Sequence, residues 1–362
     1  MQFGIFNLMS YRDHPDGVPG VIADTKAMVR TAEDVGIDVA WFAEHHFTNY
    51  SVSVSPLIIM AHMAAATSRI RLGSAVIVLP LYHPMRVAQE IALVDQLSGG
   101  RVVLGVGTGY QPFEFVRYGQ DVDQRTETFL KYWNIVEDAL TKGVSSASAE
   151  ALGLPETPFL LRPVQKPLPP VFVTTSNPVV LKRFASVNAT PFITAGWRGS
   201  AVLLQMAEQM RASWAAAGLA DRPMPLGLQQ YVHVTDSMAD AEKAADCARF
   251  VGRMASGLRS PDISAENAVI DAPPLPDEPS LDIFRENVLI GSAEMVTERI
   301  LAEIRASGCT HYNMFFQFGD MPLAMARRSL DRFGDEVLPV LRRELSSDAF
   351  QPIPAQYAGQ NR

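Results

Sequence analysis

Ile37-Asp38-Val39-Ala40-Trp41-Phe42-Ala43-Glu44-His45-His46-Phe47 climbs as an apolar run out of Gly36 and ends in one carboxylate and two adjacent imidazoles. A helical pattern precedes it, and a loop and a second helical pattern follow. Strands covered on both faces read as continuous apolar runs, so this is a buried parallel strand whose C-terminal end delivers polar side chains to a site. In open α/β sheets and in α/β barrels alike, that end of the strand is where ligands bind.

The same alternation extends in both directions. Upstream, residues 3–9 form a short strand, and residues 21–35 carry helical periodicity that stops at Gly36, a natural C′ residue. Downstream, Ser55 as N-cap and Pro56 at the first helical position start a helix running to about Thr67. Residues 70–79 are a third strand, His83-Pro84 opens a third helix, and Gly99-Gly100 separates it from a fourth strand over 101–107. Strand–helix units with short connections predict a parallel sheet with right-handed crossovers. Four further strands read over 171–175, 191–194, 226–234 and 311–316, with helices over 124–140, 295–306 and 323–341. Eight strands alternating with helices predict a (β/α)8 TIM-type barrel with insertions. A doubly wound open sheet needs no fixed count and is the alternative. The expected organisation is one domain over 1–345, with a polar, proline-rich stretch at 257–279 that reads as a mobile lid, and a tail over 346–362.

The bulk composition excludes several classes. A net charge of −8 with no basic stripe argues against a nucleic-acid scaffold. Cys247 and Cys309 are too few for a disulfide framework and have no CxxC spacing, which suits reduced thiols in a cytoplasmic protein. The first residues lack a cationic leader, and no apolar run reaches the ~18–20 uncharged residues of a membrane span.

Three constellations could carry chemistry. Glu44-His45-His46 lacks the H-E-x-x-H zinc pattern, and adjacent residues on a strand point to opposite faces. Both imidazoles therefore cannot face the barrel mouth in regular β geometry, and no metal site is expected. One imidazole beside a carboxylate can hold or release a proton near neutral pH, while the other is a structural group. Gly105-Val106-Gly107-Thr108-Gly109-Tyr110 ends a strand but, followed by Gln111-Pro112, lacks the closing spacing of a dinucleotide fingerprint. Its glycines either admit a flat ring or phosphate close to the backbone or make a tight turn. Thr174-Thr175-Ser176-Asn177-Pro178 places hydroxyls at a helix N-terminus, which is either an anion site or an ordinary cap.

Taken together, Phe3-Gly4, Glu44-His45-His46-Phe47, Gly73-Ser74-Ala75-Val76-Ile77-Val78-Leu79-Pro80, His83-Pro84 and Asp95-Gln96-Leu97-Ser98-Gly99-Gly100-Arg101 resemble the luciferase-like flavin monooxygenases, the family of bacterial luciferase. The resemblance implies an FMNH2-dependent monooxygenase. It would take reduced FMN from a separate flavin reductase, form a flavin C4a-hydroperoxide with O2, and oxidise a mostly apolar organic substrate. It further implies that His45 is the catalytic imidazole and that the Ala75-Val76 peptide is a non-prolyl cis bond under the flavin ring. Thr108, Tyr110 and Gln111 would contact the flavin, and Thr175 and Ser176 would bind its phosphate. The 257–279 region falls where the family has its mobile loop, and family members usually form dimers. A deazaflavin (F420)-dependent oxidoreductase of the same superfamily and a non-catalytic partner subunit like the luciferase beta chain are the competing expectations. The loops carry no readable code for a substrate.

Overall fold

The ring closes where the two ends of the chain meet. In the computed structural model, which describes residues 1–145, 152–259, 265–270 and 272–347, strand β1 (Gln2–Asn7) pairs in parallel with β2 (Val39–Phe42) on one side. On its other side it pairs with β8 (His311–Phe315). Between them run β3 (Arg71–Ser74), β4 (Val102–Gly107), β5 (Val171–Thr174), β6 (Thr190–Thr194) and β7 (Gly227–Val234), each in parallel with its neighbour. Eight parallel strands thus close into an α/β TIM-type barrel, and the open-sheet alternative is excluded.

Side-chain alternation splits the apolar residues into two cores. Val39, Trp41, Val103 and Phe172 point inward and pack with Phe6, Ala75 and Phe192 inside the barrel, while the outward set joins the large core under the helices. Trp41 dictates its neighbours: a Cβ on Gly4 or Gly73 would stand 2.7 or 2.3 Å from atoms of the indole. Both positions on the flanking strands must be glycine for the ring to lie across the barrel.

The third strand does not run unbroken over 70–79. It stops at Ser74, and Ile77–Val78 resumes in register with Val106 and Gly107 of β4. The intervening Ala75–Val76 peptide is cis.

Helix α1 (Gly17–Val35) ends on Gly36, whose left-handed conformation (φ 88°) lets its N–H reach the carbonyls of Ala32 and Glu33. Helix α2 (Pro56–Ala64) is capped by the Ser55 hydroxyl, which accepts from the Ile58 N–H. Then come α3 (Pro84–Ser98), α4 (Pro112–Arg117), α5 (Arg125–Thr141), α6 (Pro178–Ala185), α7 (Gly199–Trp214), α8 (Met238–Gly257), α9 (Leu281–Asn287), α10 (Ala293–Ser307) and α11 (Leu323–Arg332). The expected last helix continues through a wider π-type turn, Phe333–Val337, into α12 (Leu338–Ser347). Helices α7 and α8 escape a reading of periodicity. The buried stripe of α8 is largely alanine (Ala241, Ala244, Ala245, Ala248), which contrasts weakly with its polar face.

The stretch read as a lid carries local structure. Ala265–Glu266 and Val269–Ile270 pair as a hairpin around Asn267 and Ala268, both at positive φ. Asn49, in the loop after β2, holds that hairpin: its Oδ1 accepts from Ile270 N at 2.8 Å and its own N–H donates to the Ala268 carbonyl at 2.8 Å. Residues 260–264, 271 and 348–362 lie outside the described residues. Among the described residues, no helix is long and apolar enough to cross a membrane.

Candidate active site

Strand β2 ends at Phe42, so Glu44, His45 and His46 belong to the loop beyond it. The alternation of a regular strand therefore does not govern them. The loop is held by its own bonds instead, with His45 N donating to the Ser53 carbonyl at 3.1 Å. The two imidazoles nevertheless part company.

His46 is buried, with Nε2 3.0 Å from Glu44 Oε1 and Nδ1 3.0 Å from the Tyr118 hydroxyl. The second oxygen of Glu44 accepts from Tyr82 Oη at 2.8 Å and from Val78 N at 3.2 Å, just past the cis peptide. Burial raises the Glu44 carboxyl above the usual range, and the bonds from His46, Tyr82 and Val78 oppose that shift. Glu44 and His46 thus fix the segment after β3 in place.

His45 faces the mouth. Its Nδ1 stands 3.3 Å from Glu114 Oε1 and 2.9 Å from Gln111 Nε2, and its ring meets Tyr50 edge-on at 4.7 Å. Glu114 also accepts from His46 N at 2.8 Å, so one buried carboxylate oxygen touches both histidines. Glu114 comes from the first turn of α4, whose Pro112 sets the helix start directly after β4. Nothing in the spacing of the chain singles Glu114 out. An acid in the first turn of a short helix that follows a barrel strand is the one signal that could have found it.

Further aromatic rings pack on one another within the core. Phe6 packs on Phe315 at 5.1 Å, and Tyr231 packs on Phe315 at 5.0 Å and on Phe318 at 4.9 Å. Burial pushes the Tyr50 and Tyr231 phenols above their ordinary value, and Tyr50 is pushed further by Tyr110 and Tyr231 nearby. These hydroxyls are neutral at physiological pH.

The other residues singled out in the sequence fall at the same end of the barrel. Gln111 is 1% exposed and bonds His45 and the Tyr110 hydroxyl, whereas Tyr110 is 49% exposed. Ala75 and Val76 close over β4: a Cβ on Gly105 would lie 1.9 Å from the Ser74 carbonyl, and one on Gly107 would lie 2.6 Å from Thr174 Oγ1 and 2.7 Å from Val76 Cγ2. The glycines of the 105–109 turn thus make room for protein atoms of the cis segment. Thr108 Oγ1 turns back onto the Gly109 carbonyl at 3.2 Å. Thr175 Oγ1 accepts from Asn177 N at 3.0 Å, and Asn177 Oδ1 caps α6 through Val179 N at 2.9 Å, leaving Ser176 exposed beside them. Among the described residues no group of three or more His, Cys, Asp or Glu could hold a metal ion. A cavity of ≈ 400 Å³ lined by Thr235, Asp236, Arg285, Ile290, Met295 and Arg299 is separate from all of these.

A closed parallel barrel with histidine, carboxylates and phenols gathered at the C-terminal ends of its strands is an α/β barrel built for ligand chemistry. The luciferase-like monooxygenase family model matches residues 1–311, and the chain belongs to that family. It is 32% identical over 346 residues to uncharacterized protein y4vJ of Sinorhizobium fredii, covering 95% of this chain and 99% of that protein. It is 25% identical over 343 residues to the oxygenase component of the flavin-dependent trigonelline monooxygenase of Acinetobacter baylyi, covering 91% and 92%. Among solved structures it resembles monooxygenase RslO1 of Streptomyces bottropensis, with TM-score 0.75, 19% identity and 94% and 99% of the two chains covered. It also resembles the oxygenating constituent of 3,6-diketocamphane monooxygenase of Pseudomonas putida in complex with FMN, with TM-score 0.69, 18% identity and 94% and 98% covered. An F420-dependent secondary alcohol dehydrogenase is similar as well, with TM-score 0.66, 19% identity and 94% and 99% covered. The family is one of oxidoreductases that includes flavin-dependent monooxygenases.

Proposed function

We propose that this chain is the oxygenase component of a two-component flavin monooxygenase, which receives reduced FMN from a separate reductase and uses O2 to oxidise a mostly apolar organic substrate. The observation that carries this reading is His45, held by Glu114 and Gln111 with its ring edge-on to Tyr50 beyond the end of β2. The residues fit the group. Flat, neutral aromatic walls suit a tricyclic ring, and the exposed Ser176 hydroxyl with Thr175 at the start of α6 suits a phosphate. In this reading Ala75 and Val76 support the ring, Thr108, Tyr110 and Gln111 border it, and Thr175 and Ser176 hold its phosphate. Bound reduced flavin supplies the two electrons with which O2 is activated. His45 holds or releases the proton at its free nitrogen, and the neutral phenols keep competing charge out of the site. The 265–270 hairpin, anchored to Asn49, limits entry of water. The exposed Ile58, Leu93 and Leu97 on α2 and α3 support a homodimer, and the thiols suit a cytoplasmic setting.

The test is a single turnover with photoreduced FMN. Wild-type enzyme binds the reduced flavin and alters its reoxidation by O2 relative to free FMN. His45→Ala should bind reduced FMN with unchanged affinity and slow the proton-dependent phase by about 10²–10⁴-fold. A reoxidation time course in His45→Ala identical to that of wild type would overturn the assignment. Titration with reduced F420 in parallel tests the second reading, hydride transfer without O2, which the likeness to the F420-dependent dehydrogenase favours.

A further inference from the structure

Two neighbours of His45 Nδ1 make opposite demands. The Glu114 carboxylate, 3.3 Å away, can only accept and needs a proton on Nδ1. The Gln111 amide nitrogen, 2.9 Å away, donates and needs Nδ1 bare. A neutral ring cannot satisfy both. Glu114 is buried, and its one ion pair among the described residues is with His45. An unprotonated Nδ1 would set a lone pair against a desolvated negative charge, which costs more than turning a neutral amide. Turning the Gln111 amide meets both demands, since among the described residues its buried Oε1 has no hydrogen-bond partner. Half a turn of the amide brings that oxygen to Nδ1–H. Tyr110 Oη, now 3.2 Å from the amide nitrogen, can then donate to Oε1 instead of accepting.

We propose that Glu114 is a positioning residue that selects the Nδ1–H tautomer of His45, with Gln111 turned to accept, so that Nε2 presents its lone pair to the barrel mouth as the proton acceptor. Nε2 makes no hydrogen bond within the described protein and is not sealed off, so it is the nitrogen open to a bound molecule. Proton uptake at Nε2 creates an imidazolium directly paired with the Glu114 carboxylate. The other titratable groups around the ring are the Tyr50 and Tyr110 phenols, with Arg259 acting on both from outside and the Glu44–His46 pair behind the shared Glu114 oxygen. The proposal rests on the reading of His45 as the acid–base group.

The experiment is ¹⁵N NMR of histidine-labelled protein without flavin, the His45 signals being assigned by their loss in His45→Ala. Wild type should show the Nδ1–H tautomer above the ring's titration midpoint. Glu114→Gln, which keeps the shape, should shift His45 toward the Nε2–H tautomer. Gln111→Leu should leave the wild-type tautomer in place. An Nε2–H tautomer in wild type, or an unchanged tautomer in Glu114→Gln, would overturn the proposal. The tautomer is read without flavin or O2, so a failed flavin assignment and a failed positioning role give different results.

Discussion

Glu44 shows what a buried charge requires at the scale of one residue. Its two oxygens receive His46 Nε2, Tyr82 Oη and Val78 N, and burial still leaves its carboxyl raised. Each donor offsets part of a desolvation cost that would otherwise neutralise the group. Tyr82→Phe removes one donor and leaves the rest of the pocket filled, so it should destabilise the fold by ~1–3 kcal/mol. Chemical denaturation measures this, and an unchanged unfolding midpoint would show that Glu44 does not depend on Tyr82. The adjacent imidazoles differ for the same reason: His46 is enclosed by a carboxylate and a phenol, while His45 keeps one nitrogen open. Their identities were legible in the chain. Strand geometry left open which of them faces the site, and only the resemblance pointed to His45; the surroundings of each come from Glu114 and Tyr118, 69 and 72 residues away from their partners.

At the scale of elements, the loop after β2 organises the mouth. It carries the Glu44-His45-His46 triplet and, a few residues on, Asn49, the anchor of the 265–270 hairpin. Asn49 also donates to the Tyr11 carbonyl at 3.0 Å, so three loops converge on one side chain. Replacing Asn49 by Ala leaves the Ile270 N–H without its acceptor. Amide exchange over 265–270 should then accelerate by roughly tenfold, the equivalent of about 1.4 kcal/mol and within the worth of one such bond. Exchange by mass spectrometry reads this directly, and equal protection in both proteins would remove Asn49 as the anchor. The hairpin escaped the sequence reading because its strands are two residues each, and because its turn uses Asn267 and Ala268 in place of a glycine signal.

For the whole molecule, barrel closure buries polar residues that a single strand could not hide. His311 at the start of β8 is fully enclosed, and burial pushes its imidazole down to about 3, while His233 on β7 is pushed down to about 4. Both folded values lie below the ordinary one near 6.5, so the stability they contribute is complete above that pH and is lost as pH falls toward 4. His311 alone should account for on the order of 3 kcal/mol of lost stability between pH 7 and pH 4. His311→Gln should therefore show a shallower fall of unfolding free energy over that window, and parallel curves would exclude the effect. The sequence by itself determined the eight-strand alternation, the helix caps at Ser55 and Gly36, and the polar triplet just beyond the second strand. These follow from periodicity and backbone preference, which are local. Only the tertiary structure decided that β1 meets β8, that Trp41 needs Gly4 and Gly73, that the 105–109 glycines make room for the cis segment, and that Glu114 stands against His45. Each of these depends on which atoms occupy the space beside a residue. That space exists only once strands distant in sequence are packed side by side.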